Sequence, residues 1–291
     1  MKTRLMQLLL AATLLHVAGV ANAVQCSNPP AVSSSGFTIG SYDPATVGTT
    51  STSTTVSGSC TRAGGGGGMS YTVAAGTGLN PSGGSNRARF GTNYINYAVT
   101  TDAGCSTTWN GANLFTFVFS GNPAAPSPQS RTYYGCVSAG QYVAALTYSD
   151  TVIMTTTNPI GGAASTNTFP VSITVASRCT MINAPGAIAF TYTAFGAAQT
   201  ANTTYRIVCN SLLPYSADIG GGASGSGVVS GLNYSLGIDT SGSGGSNPLA
   251  STGTGTTQTF YINGSMAAGQ AGTCASGTCA GTVPRTLTVT Y

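Results

Sequence analysis

The sequence contains no glutamate, and its single lysine and single histidine, Lys2 and His16, both lie within the first 23 residues. Beyond that point seven arginines and five aspartates carry all the side-chain charge, which gives a net charge of +2. This part of the chain therefore cannot assemble a Ser-His-Asp or Cys-His catalytic group, a glutamate pair for glycoside hydrolysis, a Schiff-base lysine or a histidine-ligated metal. We expect a protein that is not an enzyme, with no catalytic residue, no cofactor and no metal site.

Charged residues of either sign are scarce. They make up 5% of the chain, against about a quarter of an average protein. The arginines are scattered without a basic run, so they cannot neutralise a row of phosphates, and we expect no binding to nucleic acid.

The first residues have the pattern of a secretory signal. Lys2 and Arg4 precede an apolar run over 8–20, and small residues at 21–23 form a cleavage site. We predict a signal peptide over residues 1–23. No second apolar stretch approaches the roughly 20 residues that a membrane-spanning helix requires, so we expect an exported protein without a membrane span.

Eight cysteines follow the predicted signal, and their number in an exported chain indicates an oxidising compartment and disulfides. Cys26 with Cys60 and Cys179 with Cys209 have similar spacings, and in both pairs the second cysteine follows a Thr-rich alternating segment. We predict these two bonds. The other four would pair as Cys105 with Cys136 and Cys274 with Cys279, a connectivity that the sequence leaves open. A zinc site of four thiolates is the alternative, but no CxxC spacing occurs.

The chain contains an internal repeat beyond the cysteine pairs. In both halves an aliphatic residue, Asn and Tyr are followed five residues later by Asp, as Ile95-Asn96-Tyr97 with Asp102 and as Leu232-Asn233-Tyr234 with Asp239. Such a repeat is typical of two copies of one domain. We predict an N-terminal domain at 24–158, a linker at 159–168 that is rich in Pro and Gly, and a C-terminal domain at 169–291.

Secondary structure follows from the period of the apolar residues. Short runs rich in Val, Ile, Thr, Tyr and Phe are divided by Gly, Asn and Pro, and no stretch after the signal shows a sustained helical stripe. The pattern predicts an all-β protein of two immunoglobulin-like antiparallel β-sandwich domains in tandem.

The two copies differ after their last common strand. The first continues through the linker into an alternating strand with Phe169, Val171, Ile173 and Val175 on one face, whereas no such strand follows Tyr291. If this strand completes the first domain within the chain, the C-terminal domain is incomplete and has an apolar groove beside an unpaired strand edge. Such an edge invites a strand donated by another chain.

The donated strand would also set the direction in which the chain joins a polymer. The alternating strand precedes Cys179, but only Val24 and Gln25 precede Cys26 in the mature chain. We expect a subunit that accepts a donor strand, has none to give, and therefore sits at one end of a polymer. The alternative is that the strand from Phe169 begins the second domain and that both domains are complete.

Several ordered motifs resemble those of the spore coat protein U domain family, which includes the subunits of archaic (Csu-type) chaperone-usher pili. The resemblance spans nearly the whole mature chain, and the motifs that carry it are Phe37 through Tyr42-Asp43-Pro44, Cys60-Thr61-Arg62-Ala63-Gly64, Asn86-Arg87-Ala88-Arg89, Asn96-Tyr97 with Asp102, Trp109-Asn110-Gly111 and Tyr148-Ser149-Asp150-Thr151-Val152. The second domain departs from the pattern, since it has no Trp and has Arg285 where the first has Asp150.

A two-domain member resembles the tip adhesin of such pili, with an adhesive N-terminal domain and a C-terminal pilin domain. The resemblance implies a periplasmic chaperone that lends a strand, an outer-membrane usher, and the next pilin subunit, whose N-terminal segment replaces the chaperone. It implies passage through the periplasm to the pilus tip on the surface of a Gram-negative bacterium. It also places Leu287, Val289 and Tyr291 at the edge that meets the chaperone and the donor strand.

The resemblance further implies loops in the first domain that bind an abiotic or host surface through apolar residues, for attachment and biofilm formation. Met69, Phe90, Trp109 and Leu114 are the candidates, and for Trp109 a packed position in the core is the favoured alternative. The rival function for the whole chain is a secreted spore-coat-like or matrix structural protein with two complete domains.

Overall fold

The computed structural model describes residues 31–59, 69–119, 128–157, 164–220, 225–274 and 278–291. All long regular elements in these ranges are β-strands, as expected for an all-β protein. Within them, no helix has the length and apolarity needed to cross a membrane. The predicted signal peptide and the predicted bond from Cys26 to Cys60 lie outside the described residues.

Ten strands form the first domain. They are β1 (Ala31–Ser34), β2 (Phe37–Tyr42), β3 (Thr50–Ser59), β4 (Met69–Ala75), β5 (Asn86–Phe90), β6 (Asn93–Thr100), β7 (Phe115–Phe119), β8 (Gln129–Val137), β9 (Thr147–Thr157) and β10 (Ser165–Val175). Their order is β1-β3-β8-β6-β5-β9-β10-β2, and β4 joins β9 to β7. Strand β6 pairs with β5 and β8, so it connects the two layers that enclose the core.

Eight strands form the second domain. They are β11 (Cys179–Asn183), β12 (Gln199–Cys209), β13 (Pro214–Asp218), β14 (Gly227–Val229), β15 (Leu232–Asp239), β16 (Leu249–Thr252), β17 (Thr257–Met266) and β18 (Thr288–Thr290). One sheet has the order β11-β12-β17-β15-β14, and the other has the order β16-β13-β18.

The second domain repeats the strand order of the first. The series β11-β12-β17-β15-β14 corresponds to β1-β3-β8-β6-β5, and β16-β13-β18 corresponds to β7-β4-β9. Two strands of the first domain, β2 and β10, have no counterpart among the described strands of the second. The two copies therefore differ at one place in the fold.

Side-chain contacts repeat as well. The Tyr42 hydroxyl donates to the Ser138 carbonyl at 2.7 Å and accepts from the Gln141 backbone N–H at 3.0 Å. Tyr192 makes the same pair of bonds in the second domain, to the Ala267 carbonyl and from the Gln270 N–H, both at 2.9 Å. The Gln side chains then bond to the backbone of the repeated asparagines, Asn96 in the first domain and Asn233 in the second.

The repeated aspartates hold equivalent loops. Backbone N–H groups of Ser106 and Thr107 donate to Asp102, and these hydrogen bonds lower the pKa of its carboxyl to about 2. Around Asp239, burial acts to raise the pKa, but hydrogen bonds from Gly242, Ser241 and Asn263 prevail and lower it. Both carboxylates are therefore bound more tightly to their loops when ionised.

Acid is expected to loosen these loops. Since the folded pKa of Asp102 lies below its unfolded value near 4, its stabilising effect is complete above about pH 4 and disappears as the pH falls towards 2. Asp102→Asn should lower the stability of the first domain at pH 7, and its unfolding midpoint should converge with that of the parent near pH 2. Fluorescence of Trp109, the chain's single tryptophan, reports this transition. Asp218→Asn, at the exposed last residue of β13 in the second domain, should leave the Trp109 transition unchanged at every pH.

Hydrogen bonds join the two domains directly. Asn210, which is fully buried, donates from its side chain to the Val143 carbonyl at 2.7 Å and accepts from the Arg178 backbone N–H at 2.6 Å. Arg178 also lies 3.5 Å from the Asp43 carboxylate. Because a buried amide with both ends bonded is costly to displace, this contact fixes the end of the first domain against the second.

Candidate functional site

The strand β10 belongs to the first domain by its pairing. It runs antiparallel to β9 from Ser165 to Thr174, and parallel to β2 on its other side. The strand begins at Ser165, four residues before the expected boundary, because its hydrogen-bonded ladder with β9 extends into the segment expected to be the linker. On one face Phe169, Val171, Ile173 and Val175 are all buried in the first core.

Phe169 lies at the centre of an aromatic cluster. Its ring stacks on Trp109 with 6.2 Å between centroids and 5° between planes, and it lies 5.2 Å from Tyr133 and 6.5 Å from Phe37. All four side chains are at most 5% exposed. The strand β10 thus supplies a large part of the first domain's core.

The second domain has no strand in this place among its described residues. Strand β18, the counterpart of β9, pairs with β13 alone. Residues 184–192 occupy the sequence position of β2 but form no regular strand. Among the described residues, no strand of the second domain lies beside β18 in the way that β10 lies beside β9 in the first.

A groove of about 580 Å³ lies in the second domain beside the segment that leads to β18. Its lining is mostly apolar and comes from residues 185–192, from β14, β15 and β17, and from the segment that leads to β18. The main apolar side chains of the lining are Ile188, Phe190, Tyr192, Ile219, Val229, Leu232, Leu236, Ile262, Met266, Val283 and Leu287.

The wall formed by 185–192 sits where β2 sits in the first domain. A Cβ on Gly135 would overlap the Phe37 ring, and a Cβ on Gly264 would meet the Phe190 ring at 2.6 Å and Ile188 at 3.2 Å. Glycine at both positions lets an apolar side chain from this segment lie directly on the sheet. The wall is in place without the strand that pairs with it in the first domain.

The residues expected at the donor edge lie on β18 and beside it. Leu287 and Val289 are partly buried against the second core, whereas Tyr291 is 50% exposed. Leu287 also lines the groove. An unpaired edge next to an apolar groove can bind an extended peptide, with main-chain hydrogen bonds along the edge and alternate side chains in the groove.

Arg285 and Asp150 occupy related places in the two domains. The Tyr97 hydroxyl donates to Asp150 at 2.6 Å, and burial followed by this hydrogen bond raises the pKa of Tyr97. In the second domain Arg285 Nε donates to the Tyr234 hydroxyl at 3.0 Å. Asp150 and Arg285, which correspond in sequence but have opposite charges, therefore each contact the repeated tyrosine of their own domain.

The candidate surface-binding residues do not form one group. Phe90 is 51% exposed at the turn between β5 and β6, and Leu114 is 42% exposed just before β7. Trp109 is 1% exposed and its Nε1 donates to the Val73 carbonyl at 2.8 Å, so it is a core residue and cannot contact a surface. Met69 begins β4, and its side chain is outside the described residues.

Four more large apolar side chains in the described part of the first domain are exposed, although the sequence patterns did not single them out: Val47, Leu79, Val118 and Ile153. Val47 and Leu79 stand in turn segments beside Gly48 and Gly78. An aliphatic residue next to a turn glycine is the signal that would have found these two.

Three disulfides lie in the described part of the chain, between Cys105 and Cys136, Cys179 and Cys209, and Cys274 and Cys279. In the same part, no group of three or more His, Cys, Asp or Glu side chains is arranged to hold a metal ion.

Comparisons with solved structures extend over most of the chain, at low sequence identity. No curated protein matches the chain in sequence. Among solved structures, the chaperone–tip adhesion subunit pre-assembly complex of archaic chaperone-usher Csu pili from Acinetobacter baumannii is 16% identical, with 89% of this chain and 99% of that one covered and a TM-score of 0.43. The CupB6 tip adhesin from Pseudomonas aeruginosa is 9% identical, with 92% and 96% covered and a TM-score of 0.39.

The first half of the chain gives a clearer result. Residues 12–155 match the family described as the Spore Coat Protein U domain. This range ends within β9 and includes the motifs from Phe37 to Val152 that carried the resemblance. The first half of the chain therefore matches the Spore Coat Protein U domain family.

Proposed function

We propose that the chain is a tip adhesin subunit of a chaperone-usher pilus. The observation that carries this proposal is the open groove beside β18, at the place where β10 completes the first domain. An exported domain with an apolar groove and an unpaired strand edge is prone to aggregate unless a strand covers it. The first domain supplies its own covering strand, so only the second needs one from another chain.

Assembly follows from this asymmetry. A periplasmic chaperone first places a strand in the groove beside Leu287, and at the outer-membrane usher the N-terminal segment of the next pilin replaces it. Because β10 is used within the chain, the subunit accepts a neighbour on one side only. It therefore ends the fibre, with the first domain outermost.

The first domain is the adhesive part. Phe90 and Leu114 present apolar surface at two of its turns, and Val47 and Leu79 add to it. A surface with few charges loses little hydration energy when it meets an apolar material. This supports attachment to abiotic or host surfaces and a role in biofilm formation, after export through the periplasm to the cell surface.

The rival function, a coat or matrix protein with two complete domains, would need a second domain that closes without a partner. The groove of about 580 Å³ and the irregular segment 184–192 favour the pilus subunit instead.

Periplasmic expression separates the two functions. We expect the mature chain made alone to aggregate or be degraded, and co-expression with the chaperone of the same pilus to give a soluble 1:1 complex. The complex is measured by size-exclusion chromatography with light scattering. Val289→Asp on the donor edge should reduce the yield of complex, whereas its matched control, Thr168→Asp on the exposed side of β10, should not. A soluble monomer with two cooperative unfolding transitions and no need of chaperone would contradict the proposal.

A further inference from the structure

Arg285 is the one ionised side chain among the described residues that line the groove. Its Nε donates to the Tyr234 hydroxyl at 3.0 Å, its Nη2 donates to the Ser226 carbonyl at 2.7 Å, and its Cζ lies 5.5 Å from the Tyr234 ring centre. A guanidinium has five N–H donors and a full positive charge. Within the described part of the chain, no carboxylate lies within 4.0 Å of Arg285, since the ion pair found there joins Arg178 to Asp43.

Water now solvates the remaining donors, because Arg285 is exposed. A strand in the groove would remove that water. Asp150, which contacts the repeated tyrosine in the completed first domain, is only 6% exposed. Asp150 is satisfied there by Tyr97, by the Leu79 N–H at 3.0 Å and by the Asn80 amide at 3.4 Å.

Among the described residues, no carboxylate plays the corresponding role for Arg285. Burial of an unpaired guanidinium costs several kcal/mol in proteins. The missing counter-ion must then come from the covering strand. On one face of a sheet, directly opposed side chains on adjacent strands have Cβ atoms about 5 Å apart, which is close enough for an ion pair.

We infer that the strand accepted by the groove carries a carboxylate among its groove-facing residues, at the level of Arg285, with apolar residues at the other groove-facing positions. This inference rests on the proposed function and deepens it. Arg285 then determines the register and the identity of the partner, because a strand shifted by two residues, or one without the acid, leaves the charge buried and unpaired.

The test uses synthetic peptides that copy Ser165–Val175, the covering strand of the first domain. Five variants each carry one Glu, four at the groove-facing positions of Phe169, Val171, Ile173 and Val175, and one at the outward-facing position of Ser172. Each peptide is added to the full mature chain during refolding, and its Kd is measured by fluorescence polarisation. The peptide with Glu at Ser172 has the same net charge as the others and controls for non-specific attraction.

We expect one groove-facing Glu peptide to bind at least tenfold more tightly than the other three and more tightly than the parent peptide. In Arg285→Leu this preference should disappear, whereas Arg206→Leu, an exposed arginine on β12 outside the groove, should retain it. Equal weakening by Glu at all four positions, or a preference that survives in Arg285→Leu, would overturn the inference while leaving the proposed function intact. If no peptide binds, the parent included, the proposed function itself is wrong.

Discussion

A covering strand fused after Tyr291 should raise the melting temperature of the second domain by about 10 °C or more. The extension is a flexible Gly-Ser linker followed by a copy of Ser165–Val175, which reproduces the order of β9 and β10 in the first domain. Burial of four groove-facing residues and hydrogen bonds along β18 favour the bound strand. Because the linker keeps the strand close to the groove and the strand binds only the folded domain, its binding stabilises that domain. A net gain on the order of 3 kcal/mol corresponds to a shift of about 10 °C or more in a domain of this size.

Differential scanning calorimetry resolves the effect because we expect the two domains to unfold in separate transitions. The transition seen by Trp109 fluorescence belongs to the first domain and should not move, whereas the second calorimetric transition should. The control extension has Asp in place of Phe169 and Ile173 in the copied strand. It has the same length and linker but cannot bury its inward face, so it should leave the second transition where it is in the unextended chain. An equal rise with both extensions would mean that the groove does not bind the strand.

The same extension should allow the segment 184–192 to form a regular strand, because the added strand can pair with it. Its residues Ile188, Phe190 and Tyr192 alternate like the strand β2, yet they form no strand. An isolated edge cannot satisfy its backbone N–H and C=O groups, and β2 does so by pairing with β10. Alternating apolar residues predict that a segment can form a β-strand. Whether it does so depends on a pairing strand that is distant in sequence.

The repeat was the most predictable part of the fold. The backbone carbonyls of Asn96 and Asn233 accept from equivalent glutamine side chains, Gln141 and Gln270, and Asp102 and Asp239 hold the loops five residues after the repeated asparagine-tyrosine pair. These are short-range patterns in which one residue type suits one local geometry. A single sequence reveals them when it contains the geometry twice.

Residues whose role depends on distant contacts were less predictable. Trp109 lies in a loop segment rich in Gly, Asn and Thr, which is equally compatible with an exposed tip and with a core anchor. Its burial depends on Phe169, which comes from a strand 60 residues further along the chain. The start of β10 at Ser165 likewise depends on its ladder with β9 and not on the composition of the preceding segment.

Phe169→Ala should destabilise the first domain by about 3–5 kcal/mol, the usual cost of removing a fully buried aromatic ring. The ring is 0% exposed and packs between Trp109, Tyr133 and Phe37, so its loss leaves a cavity that the two sheets cannot close. Phe169→Asp should have a larger effect and leave the first domain unfolded, because it buries a charge without a partner.

Trp109 fluorescence during urea unfolding measures this effect directly, since the indole stacks on the ring that is removed. Thr168→Ala, an exposed neighbour on the same strand, is the matched control and should change the midpoint little. The second domain should keep its own transition in all three variants, because Phe169 lies in the first core. If Phe169→Ala instead lowered the second transition and left the Trp109 signal unchanged, β10 would belong to the second domain. The groove beside β18 would then no longer mark a missing strand, and the proposal of a strand-accepting subunit would lose its main support.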